Sequence, residues 1–69
     1  MIISEFTKPE LDKVRELGNL TNDERLLLDW RSREIPLETC AEMMNMSIST
    51  VKTKSQKLNI KIKKVLGLF

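Results

Sequence analysis

The fold of this chain is decided by residues 40–58, which read CAEMMNMSISTVKTKSQKL. Apolar and small residues at helical spacing, which begin just before this stretch, indicate a helix with one buried side: Leu37, Cys40, Ala41 and Met44. Asn45 tolerates the left-handed backbone that ends a helix sharply, and Met46 follows it as an apolar plug. Ser47 then offers a hydroxyl cap to the next helix. The stretch therefore predicts a short helix, a tight turn and a second helix.

Upstream of this stretch, two helix starts have the Thr-x-x-Glu spacing of a capping box: Thr7 with Glu10, and Thr21 with Glu24. The first predicts a support helix within residues 7–18, which Gly18 ends. The second predicts a helix that begins near Asn22 and that Pro36 closes at or before Ile35. Both helices thus precede the tight turn.

The apolar residues of these two upstream helices predict how they pack. The first helix has one apolar stripe, formed by Leu11, Val14 and Leu17. In the second helix, one side is crowded by Leu26, Leu27 and Trp30. Leu28 points well away from that side, so the apolar arc is broad. One neighbouring helix cannot cover so wide an arc, and the helix at 7–18 is expected to supply the second cover.

The C-terminal part of the chain is expected to contain one more helix end. After the helix that carries Val51, Asn59 is predicted to be a second left-handed stop, with Ile60 folding back onto the last turn. An apolar and basic tail follows at residues 60–69. Ile60 and Ile62 alternate as in a strand, whereas helical spacing relates Ile62, Val65, Leu66 and Phe69. Helix is favoured for this tail.

Length and composition limit the chain to one small domain. It has 69 residues, of which 41% are hydrophobic and 32% charged, with two Pro and two Gly. The predicted fold is all-α, a single domain at 1–69 of three to four helices. In it, the support helix at 7–18 joins a trihelical core at 20–59 and the tail at 60–69.

The composition also argues against several classes of function. The chain has no His and no Tyr, and its single Cys40 cannot form an intramolecular disulfide. Zinc and haem sites lose their usual ligands, so no metal or other cofactor is expected. Cys40 falls on the apolar stripe of its helix, where a buried, inert thiol is expected and catalysis is not. Without a signal-peptide pattern or an apolar run near the ~20 residues of a membrane span, the expected location is the cytoplasm.

The formal net charge of +2 hides an uneven distribution of charge. Residues 1–46 hold six basic and all ten acidic side chains, a net charge of −4, whereas residues 47–69 hold no acid. The net charge of +6 on residues 47–69 comes from Lys52, Lys54, Lys57, Lys61, Lys63 and Lys64. Such an asymmetry indicates a surface that faces a polyanion.

The helix that follows the tight turn has a polar outer face. When Val51 sets the direction of the core, Leu58 falls within about 20° of it. The side chains that cluster roughly 100–200° away are Ser49, Lys52, Thr53 and Gln56. Small side chains let a helix approach a groove closely, Gln and Thr can bond base edges, and Lys neutralises phosphate. Lys54 and Lys57 on the flanks, and Lys61 beyond them, are predicted to contact phosphates.

Two alternatives stay open at this point. The two helices and their turn have the dimensions of a helix-turn-helix, but an ordinary helical hairpin with a solvated basic face has the same spacing. A plain solvated helix, however, more often mixes Glu with Lys. Ile48 is expected either to pack partly against the core or to touch a thymine methyl group.

The residues around the tight turn resemble known families. The run CAEMMNMSISTVK at 40–52 resembles the helix-turn-helix of the sigma-factor C-terminal domain and of LuxR-type regulators, as do Leu20-Thr21, Glu24 and Leu27-Leu28. The run VKTKSQKLNIK at 51–61 is similar to Myb/SANT-like and homeodomain-like domains of bacteria and phages, although Asn45 and Asn59 replace their glycines. The resemblance implies a trihelical DNA-binding core whose last helix reads the sequence. The matching contact positions are Ser47, Ser49, Lys52, Thr53 and Gln56.

The function expected from these patterns is sequence-specific binding of double-stranded DNA in transcription regulation, with residues 47–58 as the recognition helix. The alternative is a protein-interaction adaptor or inhibitor that docks on RNA polymerase or another regulator, for which the apolar tail at 60–69 supplies the surface. The same tail could instead cover the core or form a homodimer. Binding to a membrane surface ranks last, because Asn59 would interrupt a single amphipathic helix.

Overall fold

A computed structural model describes residues 3–68 of the chain. Within these residues the regular secondary structure is entirely helical, without a strand. A three-residue 3₁₀ turn spans Ile3–Glu5, and the α-helices are α1 Lys8–Leu17, α2 Asn22–Ser32, α3 Leu37–Met44 and α4 Ile48–Leu66. The predicted all-α class is confirmed.

The two capping boxes predicted from the sequence begin α1 and α2. The Thr7 side chain accepts a hydrogen bond from the Glu10 amide, and the Glu10 carboxylate accepts one from the Thr7 amide at 2.8 Å. The same pair of bonds joins Thr21 and Glu24, at 3.2 and 3.0 Å. Each box satisfies backbone N–H groups that have no partner within the helix, which fixes where the helix starts. Gly18 follows the last residue of α1, as predicted.

The turn between α3 and α4 has the conformation that the sequence predicts. Asn45 adopts left-handed backbone angles, φ 57° and ψ 44°. The amide of its neighbour Met46 donates to the Ala41 carbonyl at 3.0 Å, which satisfies a carbonyl at the end of α3. Ser47 accepts a hydrogen bond from the Thr50 amide at 3.3 Å and so caps α4. A tight turn of three residues therefore joins α3 to α4.

The predicted helix end at Asn59 is wrong. α4 continues through this residue and ends only at Gly67, which has a left-handed φ of 68°. The reason lies in the apolar spacing, because Ile62 stays in phase with the buried residues before Asn59 and is itself fully buried. Burial of that side chain outweighs the weak tendency of Asn to leave a helix. Residues 60–66 are therefore part of α4, as their helical spacing favours, while Phe69 lies outside the described residues.

The inner side of α4 is the centre of the core. Its apolar residues follow one another at intervals of three, four or seven positions, and they are Ile48, Val51, Leu58, Ile62 and Val65. We call this row the seam. α1, α2 and α3 all pack against α4, so the seam is covered by the three other helices. Three residues of the segment expected to be a tail, Ile62, Val65 and Leu66, thus belong to the core or pack against it.

Three expectations about the upstream helices are wrong. α1 packs chiefly on α4, and the cover of α2 comes from the 3₁₀ turn, α3 and α4. Leu17 is 65% exposed, because the buried side of α1 continues into Gly18 instead. Leu26 is also exposed, since the arc that α2 buries is centred on Leu27 and Leu28. Helical spacing is compatible with several arcs, and the neighbouring elements select one of them.

Replacement of Asn45 tests the left-handed turn. Asn45→Ala places a side chain with a Cβ and no hydrogen-bonding group at positive φ, and we expect it to lower the free energy of unfolding by about 1 kcal/mol. Asn45→Gly carries no such penalty and should stay within about 0.5 kcal/mol of the native protein. Urea denaturation followed by circular dichroism measures both variants. Equal losses in the two would show that the left-handed conformation is not the cause.

Candidate nucleic-acid interface

The side of α4 opposite the seam is exposed. With Val51 as the direction of the core and about 100° per residue, four uncharged side chains lie within about 40° of the opposite direction. They are Ser49, Thr53, Gln56 and Ile60, and all four are exposed. We call these four the outer row. The structure thus brings together three residues that the sequence assigned to base contacts.

Ile60 is the member of the outer row that the sequence did not assign. An end of the helix at Asn59 would have folded Ile60 back onto the last turn. Because α4 is continuous, Ile60 lies one turn beyond Gln56 on the same face, and it is 49% exposed. The spacing of four residues from Gln56 was the available signal, but it has meaning only where the helix is known to continue.

Two lysines border the outer row on each side. Lys52 and Lys63 lie roughly 100–120° from the direction of Val51, while Lys57 and Lys64 lie roughly 120–140° from it in the other sense. Within residues 3–68, none of the ion pairs includes these four ammonium groups. We call them the flanking lysines. Lys52, assigned by the sequence to base contacts, thus stands at the border of the outer row.

The other two lysines of α4 are held by carboxylates of α2. The Nζ of Lys54 lies 3.2 Å from Oδ2 of Asp23, and the Nζ of Lys61 lies 2.6 Å from Oε1 of Glu24. Lys61 also donates a hydrogen bond to the Asn19 carbonyl at 3.0 Å. The sequence predicted that both lysines contact phosphates. Here they join α4 to the first turn of α2, so a phosphate would have to compete with these carboxylates.

Glu24 combines a helix cap and an ion pair on one buried carboxylate. The residue is 4% exposed, and its Oε1 accepts hydrogen bonds from the Thr21 amide and from Lys61. Burial raises the pKa of Glu24, but the hydrogen bonds from Lys61 and Thr21 together outweigh burial and hold the pKa below its ordinary value. Asn19 has a left-handed φ of 51°, and its carbonyl accepts the second bond from Lys61. The sequence predicted that Glu24 takes part in the helix cap, but it did not indicate that the same carboxylate pairs with Lys61, 37 residues away.

Ser47 and Ile48, at the start of α4, have structural roles. The Ser47 hydroxyl caps the helix and lies 2.9 Å from Oγ1 of Thr50. Ile48 is half-buried and packs against the core, which favours the first of its two interpretations. Neither residue belongs to the outer row, because Ser47 precedes the first turn of α4 and Ile48 packs against the core.

The remainder of residues 3–68 has no cavity for a ligand and no cluster of three or more His, Cys, Asp or Glu side chains that could hold a metal ion. The Cys40 thiol is buried, and burial raises its pKa although the charge of Arg31 opposes the shift. No helix among these residues is long and apolar enough to cross a membrane.

Comparison of the chain with protein-family models, with curated proteins and with solved structures finds no match. The functional interpretation therefore depends on the chemistry of α4 itself. The Thr53 hydroxyl donates to the Ser49 carbonyl at 3.2 Å and can still accept, whereas the Ser49 hydroxyl and the Gln56 amide can donate and accept. The flanking lysines can neutralise anions on both sides of the outer row.

The buried Glu24 carboxylate is expected to make stability depend on pH in the acid range. Because folding lowers the pKa of Glu24, its contribution is complete above the ordinary value of 4.5 and is lost as the pH falls through the lower folded value. The free energy of unfolding of the native protein should therefore exceed that of Glu24→Gln at neutral pH. That difference should shrink as the pH falls below the ordinary value of 4.5. Urea denaturation at each pH measures it, and a difference independent of pH would contradict the assignment.

A second arm of this experiment removes the cation. Lys61→Met should cost about 2 kcal/mol at neutral pH, below the range of about 3–5 kcal/mol for a fully buried pair, because the Lys61 side chain is still 31% exposed. Lys57→Met is the matched control, since Lys57 is exposed on the same helix and belongs to no ion pair of residues 3–68. The control should change stability by less than about 0.5 kcal/mol.

Proposed function

We propose that this domain binds double-stranded DNA sequence-specifically through α4 and acts in transcription regulation. The observation that carries the proposal is the outer side of α4, where the four flanking lysines border a mostly small and polar row. No acidic residue occurs between positions 47 and 69. In this proposal α3, the turn and α4 are the helix-turn-helix, and α4 is the recognition helix in the major groove.

The dimensions of a helix and of the groove support this placement. The major groove is about 12 Å wide, and a helix with its side chains is about 10–12 Å across. Ser49 and Thr53 are small, so the N-terminal half of α4 can approach base edges closely. Gln56 can form two hydrogen bonds with the N6 and N7 of an adenine. The flanking lysines would then lie toward the two phosphate backbones that border the groove.

The ion pairs of α4 limit how many phosphates the helix can neutralise. Of its six lysines, Lys54 and Lys61 are held by Asp23 and Glu24, which leaves four. Those four are Lys52, Lys57, Lys63 and Lys64. In the proposed complex Lys57 keeps its assignment to phosphate, and Lys52, at the border of the outer row, joins it. The paired lysines contribute to the fold.

The resemblance of residues 20–61 to bacterial and phage regulators supports the same assignment. In those families the last helix reads the sequence, and the corresponding positions here include three members of the outer row: Ser49, Thr53 and Gln56. Ser47 also matches a contact position, but it caps α4. A contact between Ser47 and a base would therefore have to share its hydroxyl with the cap.

The alternative of a protein-interaction adaptor has less support than the sequence suggested. Its surface was the apolar tail at 60–69, but Ile62 is fully buried there, and Val65 and Leu66 pack against the domain's own core. The exposed large apolar side chains described in this segment are Ile60 and Leu68. A homodimer through 60–69 and docking on RNA polymerase stay predictions. Light scattering tests the dimer by the mass in solution.

Selection from a random duplex library tests the DNA-binding proposal most directly. The native chain should enrich duplexes that share a short motif, because the outer row spans only a few base pairs. A palindromic motif would indicate a dimer as well. Failure to enrich any motif, together with binding that does not depend on salt, would contradict the proposal and favour a protein partner.

The number of flanking lysines sets the expected salt dependence. Four phosphate contacts give a slope of log K against log salt concentration of about −3.6, whereas six would give about −5.4. Lys57→Ala should weaken binding to every duplex alike and reduce the slope by about 0.9. Lys13→Ala, exposed on α1, is the control and should leave the slope unchanged. Fluorescence anisotropy at several salt concentrations measures these values.

Gln56 is expected to contribute to base preference. Gln56→Ala should lower the affinity for the selected motif by about 1–3 kcal/mol and relax the preference at one or two positions, because a lost hydrogen-bond pair concerns one base. Competition binding against single-base variants of the motif measures this. If Gln56→Ala weakens all duplexes equally, as Lys57→Ala should, direct readout by Gln56 is wrong.

A further inference from the structure

Ile60 is a large apolar side chain exposed within the basic face of α4. It is 49% exposed, lies about 180° from Val51 around the helix and is the most C-terminal residue of the outer row. The other exposed large apolar residues lie on other elements or beyond the end of α4, and they are Leu17, Leu26, Met43 and Leu68. Among the residues that the structure describes, Ile60 is therefore the large apolar side chain that is exposed between the flanking lysines.

The position of Ile60 along α4 places it at one end of the proposed contact with DNA. From Ser49 to Ile60 the helix rises by about 16 Å along its own axis, a length that spans several base pairs of the major groove. Thr53 and Gln56 lie between them on the same face. If Ser49 faces one base pair of the major groove, Ile60 therefore faces another base pair several positions away.

The chemistry of Ile60 selects what it can recognise there. An aliphatic side chain offers no hydrogen bond to a base edge, and it would leave the donors and acceptors of most base edges without partners. The major groove presents one apolar group, the C5-methyl of thymine. We propose that Ile60 is a specificity-determining residue that packs on the C5-methyl group of a thymine at the end of the target site away from Ser49. This inference depends on the proposed DNA binding and names one base of its target.

Replacement of thymine by deoxyuridine tests the contact, because it removes the methyl group and keeps every hydrogen-bonding group of the base pair. The native chain is first used to select a duplex, and each thymine of the selected site is then replaced in turn. At one position, toward the end of the motif, the affinity should fall about fourfold, as burial of one methyl group predicts. This measurement leaves the protein unchanged.

The matching change in the protein is Ile60→Ala. It should lower affinity for the thymine duplex by at least the same factor and should bind the thymine and deoxyuridine duplexes equally. Leu68→Ala is the control, since Leu68 is similarly exposed but follows the end of α4, and it should keep the fourfold difference. Circular dichroism and a melting curve verify that Ile60→Ala remains folded.

The outcomes separate this inference from the proposed function. If no duplex is selected, DNA binding itself is wrong and the inference falls with it. If a motif is selected but contains no thymine toward that end, or if Ile60→Ala keeps the difference between thymine and deoxyuridine, DNA binding stands and the role of Ile60 is overturned. Binding of the native chain to anionic vesicles that Ile60→Ala abolishes, with binding to the motif unaffected, would overturn the role too.

Discussion

The seam of α4 is the contact on which the rest of the structure depends. Its residues Val51, Leu58 and Ile62 are fully buried, and α1, α2 and α3 all pack against this helix. Those three helices have 10, 11 and 8 residues, lengths at which an isolated helix is marginal in water. They are therefore stabilised by docking on α4, and α4 in turn needs them to cover its apolar side.

Burial of the seam decides which side of α4 remains outside. Since all the other helices gather on one side, the opposite side of a 19-residue helix is left without a helical neighbour. The first turn of α2 then divides the lysines of α4. Asp23 and Glu24 hold two of them, which reduces the repulsion within a segment of six positive charges and no negative one. The contacts that stabilise the fold thus also determine the charge pattern of the proposed DNA-binding face.

Expectations from the sequence were correct where the structure depends on neighbours in the chain, and several were wrong where it depends on packing. The capping boxes and the turn at Asn45 involve residues at most five positions apart, so their residue types are sufficient signals. Asn59 has the same local tendency as Asn45, yet it continues the helix because Ile62 is buried beyond it. Leu17 and Leu26 have the right spacing for burial, but no element formed by residues 3–68 covers them. In the candidate site, the sequence did not predict the position of Ile60 for the same reason. Ile60 belongs to the outer row only because α4 is continuous through Asn59.

The sequence by itself determined the all-α class, the helix starts, the left-handed turn and the separation of charge, because each follows from residue types and from contacts within about one helical turn or the next. Only the tertiary structure decided how far α4 extends, which of its lysines are paired and which side chains share its outer row. Burial and ion pairing bring together residues that are distant in the chain, as Lys61 and Glu24 are at 37 positions apart, and no local pattern encodes such a contact.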